Sequence, residues 1–156
     1  MSVLVTTPER GTIDSGRDGG PARRVLVVFE PIRSGRAALR EAAELAEAGS
    51  WLSVVTLAPQ ARPLRCCGGG GAGPYNQAVC QAAESELCEA REILGTAASR
   101  ATFRVLRGCP DPPLTAWVAE HAIGLVLLPS HRLTLGGGRL AAGLRRATAA
   151  EVRLVR

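Results

Sequence analysis

The chain has 156 residues, the length of one globular domain, and 46% of them are apolar, which suffices for a substantial core. Its net charge of +5 comes from 19 basic residues, all of them arginine, against 14 acidic ones. The arginines are scattered and do not interleave with the five aromatic residues, so the composition argues against a nucleic acid partner.

Three further features of the composition narrow the class of protein. No apolar run approaches the ~20 residues of a membrane span, and the N-terminus lacks the apolar middle of a signal peptide, so we expect a cytoplasmic protein without a membrane partner. The five cysteines are odd in number and form no C-x-x-C pair, so neither a disulfide framework nor a metal site is predicted. Residues 1–22 are rich in Gly, Thr, Ser, Asp and Pro, which predicts a flexible tail before a domain over residues 23–156.

The first predicted unit of the domain is a strand followed by a helix. Residues 25–29 are apolar at every position, as in a strand that is buried on both faces, and Glu30 stands at its carboxyl end. Ser34 is a suitable N-cap for a helix over residues 35–48, whose apolar residues recur at helical spacing. Gly49 ends this helix.

Two more strand–helix units follow. Residues 51–57 predict a second strand, a glycine-rich loop follows over residues 58–74, and residues 75–94 have the spacing of a helix. Residues 103–106 predict a third strand, which a turn at Gly108 ends. Asp111 is the expected cap of the helix that comes next.

The last unit contains most of the residues that could bind a ligand. Residues 125–128 predict a fourth buried strand, which Ser130 and His131 follow directly. Residues 136–138 are all glycine and are predicted to form a loop before a helix, and residues 152–155 predict the final strand. A glycine loop at a helix start offers N–H donors and the positive end of the helix dipole to a phosphate, although such loops are often only tight turns.

The alternation of strands and helices predicts the fold. Every connection between strands contains a helix, which is typical of a doubly wound α/β domain with a five-stranded parallel sheet and four helices on its two faces. Ligands of such sheets bind at the carboxyl ends of the strands, where the strand order reverses. Glu30, Leu57, Gly108 and Ser130 fall at these ends.

The chain resembles the universal stress protein family over about residues 24–156. Gly108 and Pro110 follow the third strand like the family's Gly-x-Pro turn, and Ser130 and His131 lie where the family has Gly-Ser-His-Gly. Residues 152–156, VRLVR, resemble the family's closing Pro-Val-Leu-Val-Val-Arg. The resemblance implies the Rossmann-like fold of adenine nucleotide α-hydrolases, dimers, and in some members ATP binding.

The ATP-binding motif of the family, Gly-x2-Gly-x9-Gly-Ser/Thr, is degenerate in this chain. Pro129 and Arg132 replace its first two glycines, Gly143 matches the third only with a one-residue insertion, and Leu144 replaces the hydroxyl residue. Glu30 stands where the family has an Asp at the end of the first strand.

Two functions therefore remain open from the sequence. The first is a stress-response regulator that binds ATP or another adenine nucleotide. Its expected contacts are Glu30, Leu57, Gly108, Ser130, His131, Gly136, Gly137, Gly138 and Gly143. The second is an interaction module without nucleotide, which forms a homodimer through the final strand because that strand lies at a sheet edge. Neither function involves catalysis, and we expect no enzyme.

Overall fold

Five parallel strands form one sheet in the order β3-β2-β1-β4-β5 in the computed structural model, which describes residues 22–62, 72–109, 113–130 and 135–156. The strands are β1 (Arg24–Val28), β2 (Trp51–Pro59), β3 (Ala101–Gly108), β4 (Leu125–Pro129) and β5 (Glu151–Val155). The predicted doubly wound fold is confirmed, because every pair of neighbouring strands is parallel.

Four helices connect the strands. They are α1 (Arg33–Glu47), α2 (Ala72–Leu94), α3 (Leu114–Glu120) and α4 (Leu135–Ala147), and a short 3-10 helix, Gly95–Arg100, directly follows α2. Among the described residues, no helix combines the length and the apolar character needed to cross a membrane.

The core consists of two layers, one on each face of the sheet. Val25, Val27 and Phe29 point to the face that α1 and α2 cover, while Leu26 and Val28 point to the face that α3 and α4 cover. Every β1 residue after Arg24 is therefore buried, which explains why this strand has no polar alternation in the sequence.

The structure corrects two local predictions. Ser34 does not cap α1: the helix begins at Arg33, its N-cap is Ile32, and Ser34 is buried in the first turn. The reason is a tight turn in which the Ile32 N–H donates to the Glu30 carbonyl at 2.7 Å, so the chain enters the helix two residues before the position that the sequence suggested.

The second correction concerns the three consecutive glycines. Residues 136–138 belong to the first turn of α4, which begins at Leu135, and do not form a loop. Burial of Ala141 and Leu144 against the sheet offsets the low helix propensity of glycine. The predicted roles of the tail over residues 1–21 and of Asp111 lie outside the described residues.

Candidate functional site

The strand order reverses between β1 and β4. From β1 the chain crosses to β2 through α1 on one face, and from β4 it crosses to β5 through α4 on the other face. Since helices in such crossovers run antiparallel to the strands, the N-termini of α1 and α4 flank the carboxyl ends of β1 and β4 from opposite sides. This crevice is the position at which doubly wound sheets bind ligands.

Three of the predicted contact residues lie at one level of this edge. Val28 pairs with Val55, and two residues later on each strand this register aligns Glu30 with Leu57. Val27 pairs with Leu127, and three residues later it aligns Glu30 with Ser130. All three predicted contacts are half-buried, so they are accessible from the crevice.

The remaining predicted contacts are spread more widely. Gly108 ends β3 opposite Pro59, three strand spacings or about 14 Å from β4. Gly143 lies eight residues into α4, about 12 Å along the helix axis from Leu135. His131 lies outside the described residues.

The glycines of α4 leave its surface open. A Cβ atom added to Gly138 or to Gly143 would meet nothing within 4 Å, so packing within the chain does not require glycine at either position. Gly136 and Gly137 stand in the first turn, where the N–H groups have no partner within the helix. This turn can therefore donate backbone hydrogen bonds to an anion.

Gly35 is a residue that the sequence analysis missed. A Cβ atom at this position would lie 2.0 Å from the Glu30 carbonyl oxygen, so only glycine allows α1 to approach the end of β1 this closely. The signal in the sequence was a glycine inside a helical pattern shortly after a strand, which often marks close backbone approach. Gly35 thus fixes where the start of α1 stands relative to Glu30.

Carboxylates surround the α1 side of the crevice. The pKa of Glu86, on α2, is raised by burial and, to a lesser degree, by the nearby carboxylates of Glu30 and Glu89. Arg36 neutralises part of this charge, because its Nη2 and Nε donate to Glu89 Oε1 at 2.7 and 3.0 Å. This side favours hydroxyl groups, which donate hydrogen bonds to carboxylates, and disfavours phosphates.

The two sides of the crevice therefore differ in chemistry. The β1 and α1 side carries the carboxylates, and the α4 side carries a helix N-terminus whose first N–H groups have no partner within the helix. A ligand with a sugar at one end and an anionic group at the other would match both sides. Within the described parts of the chain, no cluster of three His, Cys, Asp or Glu residues could hold a metal ion.

Fold and crevice together define a doubly wound α/β domain with a crevice at its switch point. Residues 21–151 match the model of the universal stress protein family, and the chain belongs to this family. The family resemblance seen in the sequence is thereby confirmed. A search among curated proteins found no match.

Solved structures of the family share the fold. A universal stress family protein from Burkholderia pseudomallei has a TM-score of 0.67 at 17% identity, and the match covers 86% of this chain and 96% of that one. A universal stress protein in complex with cAMP has a TM-score of 0.59 at 19% identity, with coverages of 87% and 99%. One from Archaeoglobus fulgidus in complex with dAMP has a TM-score of 0.59 at 18% identity, with coverages of 87% and 98%.

Proposed function

We propose that this protein is a non-catalytic regulator of a stress response that binds an adenine nucleotide between β1 and β4. The observation that carries the proposal is the glycine-built first turn of α4, whose N–H groups have no partner within the helix, beside the switch-point crevice that Glu30 also borders. Support also comes from the two family structures that contain cAMP and dAMP.

The two sides of the crevice give the nucleotide its orientation. The ribose hydroxyls would donate to Glu30, the base would lie along the β2 backbone at Leu57 and toward Gly108, and the phosphates would lie against the first turn of α4. Ser130 and His131 would complete the phosphate contacts from the end of β4. A phosphate here would also avoid the carboxylates near α1.

The substitutions in the family motif change which atoms hold the phosphates. Pro129 has no N–H and is paired with Val155 in the sheet, and Leu144 is fully buried in the core, so neither contacts a phosphate. Backbone donors from Gly136, Gly137 and Gly138, which lie closer to the crevice than Leu144 does, would replace them beside Ser130 and His131. A bound nucleotide would then bias α4 toward one conformation and shift the population of a partner-binding state.

Calorimetric titration of the nucleotide-stripped protein with Mg-ATP, AMP and cAMP tests the proposal. We expect saturable binding with one nucleotide per chain. Gly138→Val should weaken it at least about tenfold, because a branched side chain would cover the N–H groups of the first turn. Gly124→Ala is the matched control: it changes a glycine at the opposite edge of the sheet, where the added Cβ meets only Arg24 O at 3.9 Å.

The outcomes of this experiment distinguish a wrong function from a wrongly placed binding site. If no nucleotide binds and none is released from the purified protein, the proposal is wrong. If nucleotides bind with equal affinity to the wild type and to Gly138→Val, the binding site is elsewhere. Gly143→Ala tests the more distant predicted contact separately, and an unchanged affinity would remove Gly143 from the site.

A second candidate function rests on β5. This strand pairs only with β4 among the described residues, and Leu154 on it is 40% exposed, so an apolar edge is open to a second copy of the chain. We propose that this edge forms a homodimer. Leu154→Glu should yield monomers in sedimentation analysis, whereas Tyr75→Glu, at another exposed apolar residue, should not. A dimer that survives Leu154→Glu would place the interface elsewhere.

A further inference from the structure

A second cavity lies at the opposite, amino-terminal edge of the sheet, on the face that carries α3. Its volume is about 310 Å³, at the lower end of the range for small-molecule sites. It exists because α3 has only seven residues, about 10 Å of helix, and leaves the first residues of β2 and β3 uncovered on this face. Arg24, in its wall, is six residues or about 20 Å from Glu30 along the β1 direction, so the cavity is separate from the crevice.

Both tryptophans of the chain line this cavity. Trp51 is 60% exposed, which is unusual for the largest apolar side chain and leaves much of its indole ring in contact with solvent. Trp117 stacks on His121 with ring centroids 4.0 Å apart and an interplanar angle of 15°. The cavity therefore offers an open aromatic ring and a rigid aromatic pair.

His121 is held in one tautomer. Its Nδ1 lies 2.9 Å from the Trp117 carbonyl oxygen, and a carbonyl only accepts hydrogen bonds, so Nδ1 carries the proton. The Nε2 atom takes no part in this bond. The hydrogen bond and the stacking together fix the orientation of the imidazole ring.

Two guanidinium groups supply positive charge without a carboxylate partner. Arg24 is anchored by a hydrogen bond of 3.0 Å from Nη1 to the His121 carbonyl oxygen, and the Arg104 guanidinium makes no hydrogen bond or salt bridge with the described residues. Among the described residues that line the cavity, none is acidic. By contrast, Arg23, Arg36 and Arg153 each pair with a glutamate elsewhere on the surface.

We propose that this cavity binds a small planar aromatic anion, such as an aromatic carboxylate. The ring would stack on Trp51 and contact the Trp117–His121 pair, and the anionic group would accept charge-assisted hydrogen bonds from Arg104 and Arg24. The hydroxyls of Ser53 and Thr102, 3.2 Å apart on the floor of the cavity, would supply further polar contacts. An aliphatic anion would lack the stacking, and a neutral aromatic molecule would lack the ion pairs.

The two tryptophans make the site directly observable. We would titrate 2-naphthoate into ¹⁵N-labelled full-length protein without added nucleotide and follow the two indole N–H resonances. The expected result is saturable movement of both resonances, with binding at least about tenfold tighter than that of neutral 2-naphthamide or of cyclohexanecarboxylate. Both indoles line the cavity, about 20 Å from Glu30 along β1, so their resonances report this site whether or not the crevice binds a nucleotide.

A matched pair of variants tests the anionic contact. Arg104→Gln should weaken 2-naphthoate binding about tenfold, whereas Arg100→Gln, the same change four residues earlier and outside the cavity, should alter it less than about twofold. Trp51→Ala should weaken binding by a similar factor, and because Trp51 and Arg104 are both exposed, the variants should keep the wild-type circular dichroism spectrum. The proposal fails if neither indole resonance saturates, if the neutral amide binds as tightly as the acid, or if both arginine variants lose affinity equally.

Discussion

At the scale of single residues, Gly35 is the most constrained position in the described chain near the crevice. A Cβ atom there would overlap the Glu30 carbonyl oxygen at 2.0 Å, and this oxygen belongs to the backbone, so it cannot rotate away like the end of a flexible side chain. Gly35→Ala should therefore push α1 away from β1 and lower the free energy of unfolding by about 1–3 kcal/mol, measured by urea denaturation. The nucleotide affinity should fall as well, because Glu30 would be displaced.

Gly143→Ala is the internal control for this prediction. Gly143 also lies in a helix, but an added Cβ there meets nothing within 4 Å. The alanine variant should be more stable than the wild type by about 0.5–1 kcal/mol, since glycine disfavours a helix interior. Equal stabilities of the two alanine variants would show that the contact between Gly35 and Glu30 does not constrain the fold.

At the scale of elements, the strands were predictable and the helix starts were not. All five strands lie where the sequence predicts them, because a strand buried on both faces leaves an uninterrupted apolar run such as residues 125–128. The starts of α1, α2 and α4 differ from the prediction, and α2 begins at Ala72, three residues before the predicted start. The turn at Ile32 that sets the start of α1 is a local contact that the residue types do not signal. The packing of Leu144, which favours α4, is a tertiary effect, to which local propensity is blind.

The same distinction explains how much of the site could be predicted. Glu30, Leu57 and Ser130 were found because they end strands, and the parallel register then aligns them. The proximity of Glu86 to Glu30 and Glu89 depends on how α2 packs on β2 and α1, and no spacing in the sequence shows it. The cavity beside Trp51 depends on the shortness of α3, which leaves part of the sheet uncovered.

The raised pKa of Glu86, on α2, predicts how the stability of the protein depends on pH. The pKa of Glu86 is raised in the folded chain by burial and by Glu30 and Glu89, so above the ordinary pKa of glutamate the folded state binds more protons than the unfolded chain. Stability contributed by this group is full at lower pH and is lost as the pH rises through the raised pKa. Glu86→Gln should therefore stabilise the protein at pH 7, by at most about 1 kcal/mol because the side chain is partly solvated.

The pH dependence of this difference is the specific test. The advantage of Glu86→Gln should shrink as the pH is lowered toward the ordinary pKa of glutamate, about 4.3, where the wild-type carboxyl is protonated. Glu92→Gln, at an exposed residue of the same helix, serves as the control and should leave the stability nearly unchanged at every pH. A gain from Glu86→Gln that is the same at pH 4 and pH 7 would exclude ionisation as its cause.

At the scale of the whole molecule, the sheet divides the interior into two cores that meet only through the β backbone. Val27 and Val28 are neighbours in sequence, yet Val27 packs in the α1 and α2 layer and Val28 in the α3 and α4 layer. Val25 and Val27 are two residues apart and share one layer. Within this strand, the adjacent residues Val27 and Val28 belong to different layers, whereas Val25 and Val27, two residues apart, belong to the same layer. Mutations in β1 can therefore show whether energetic coupling follows adjacency in sequence or the shared layer.

Two double variants of β1, each with two Val→Ala changes, allow this comparison. Each Val→Ala change should lower the free energy of unfolding by about 2 kcal/mol, from lost burial and the cavity left behind. The effects of Val27→Ala and Val28→Ala should add to within about 0.5 kcal/mol, because their side chains share no packing partners. Those of Val25→Ala and Val27→Ala should deviate from additivity by more than this, because one layer relaxes around both cavities. Deviations from additivity above about 0.5 kcal/mol in both pairs, measured by urea denaturation, would mean that strain passes through the sheet and that the two layers act as one core.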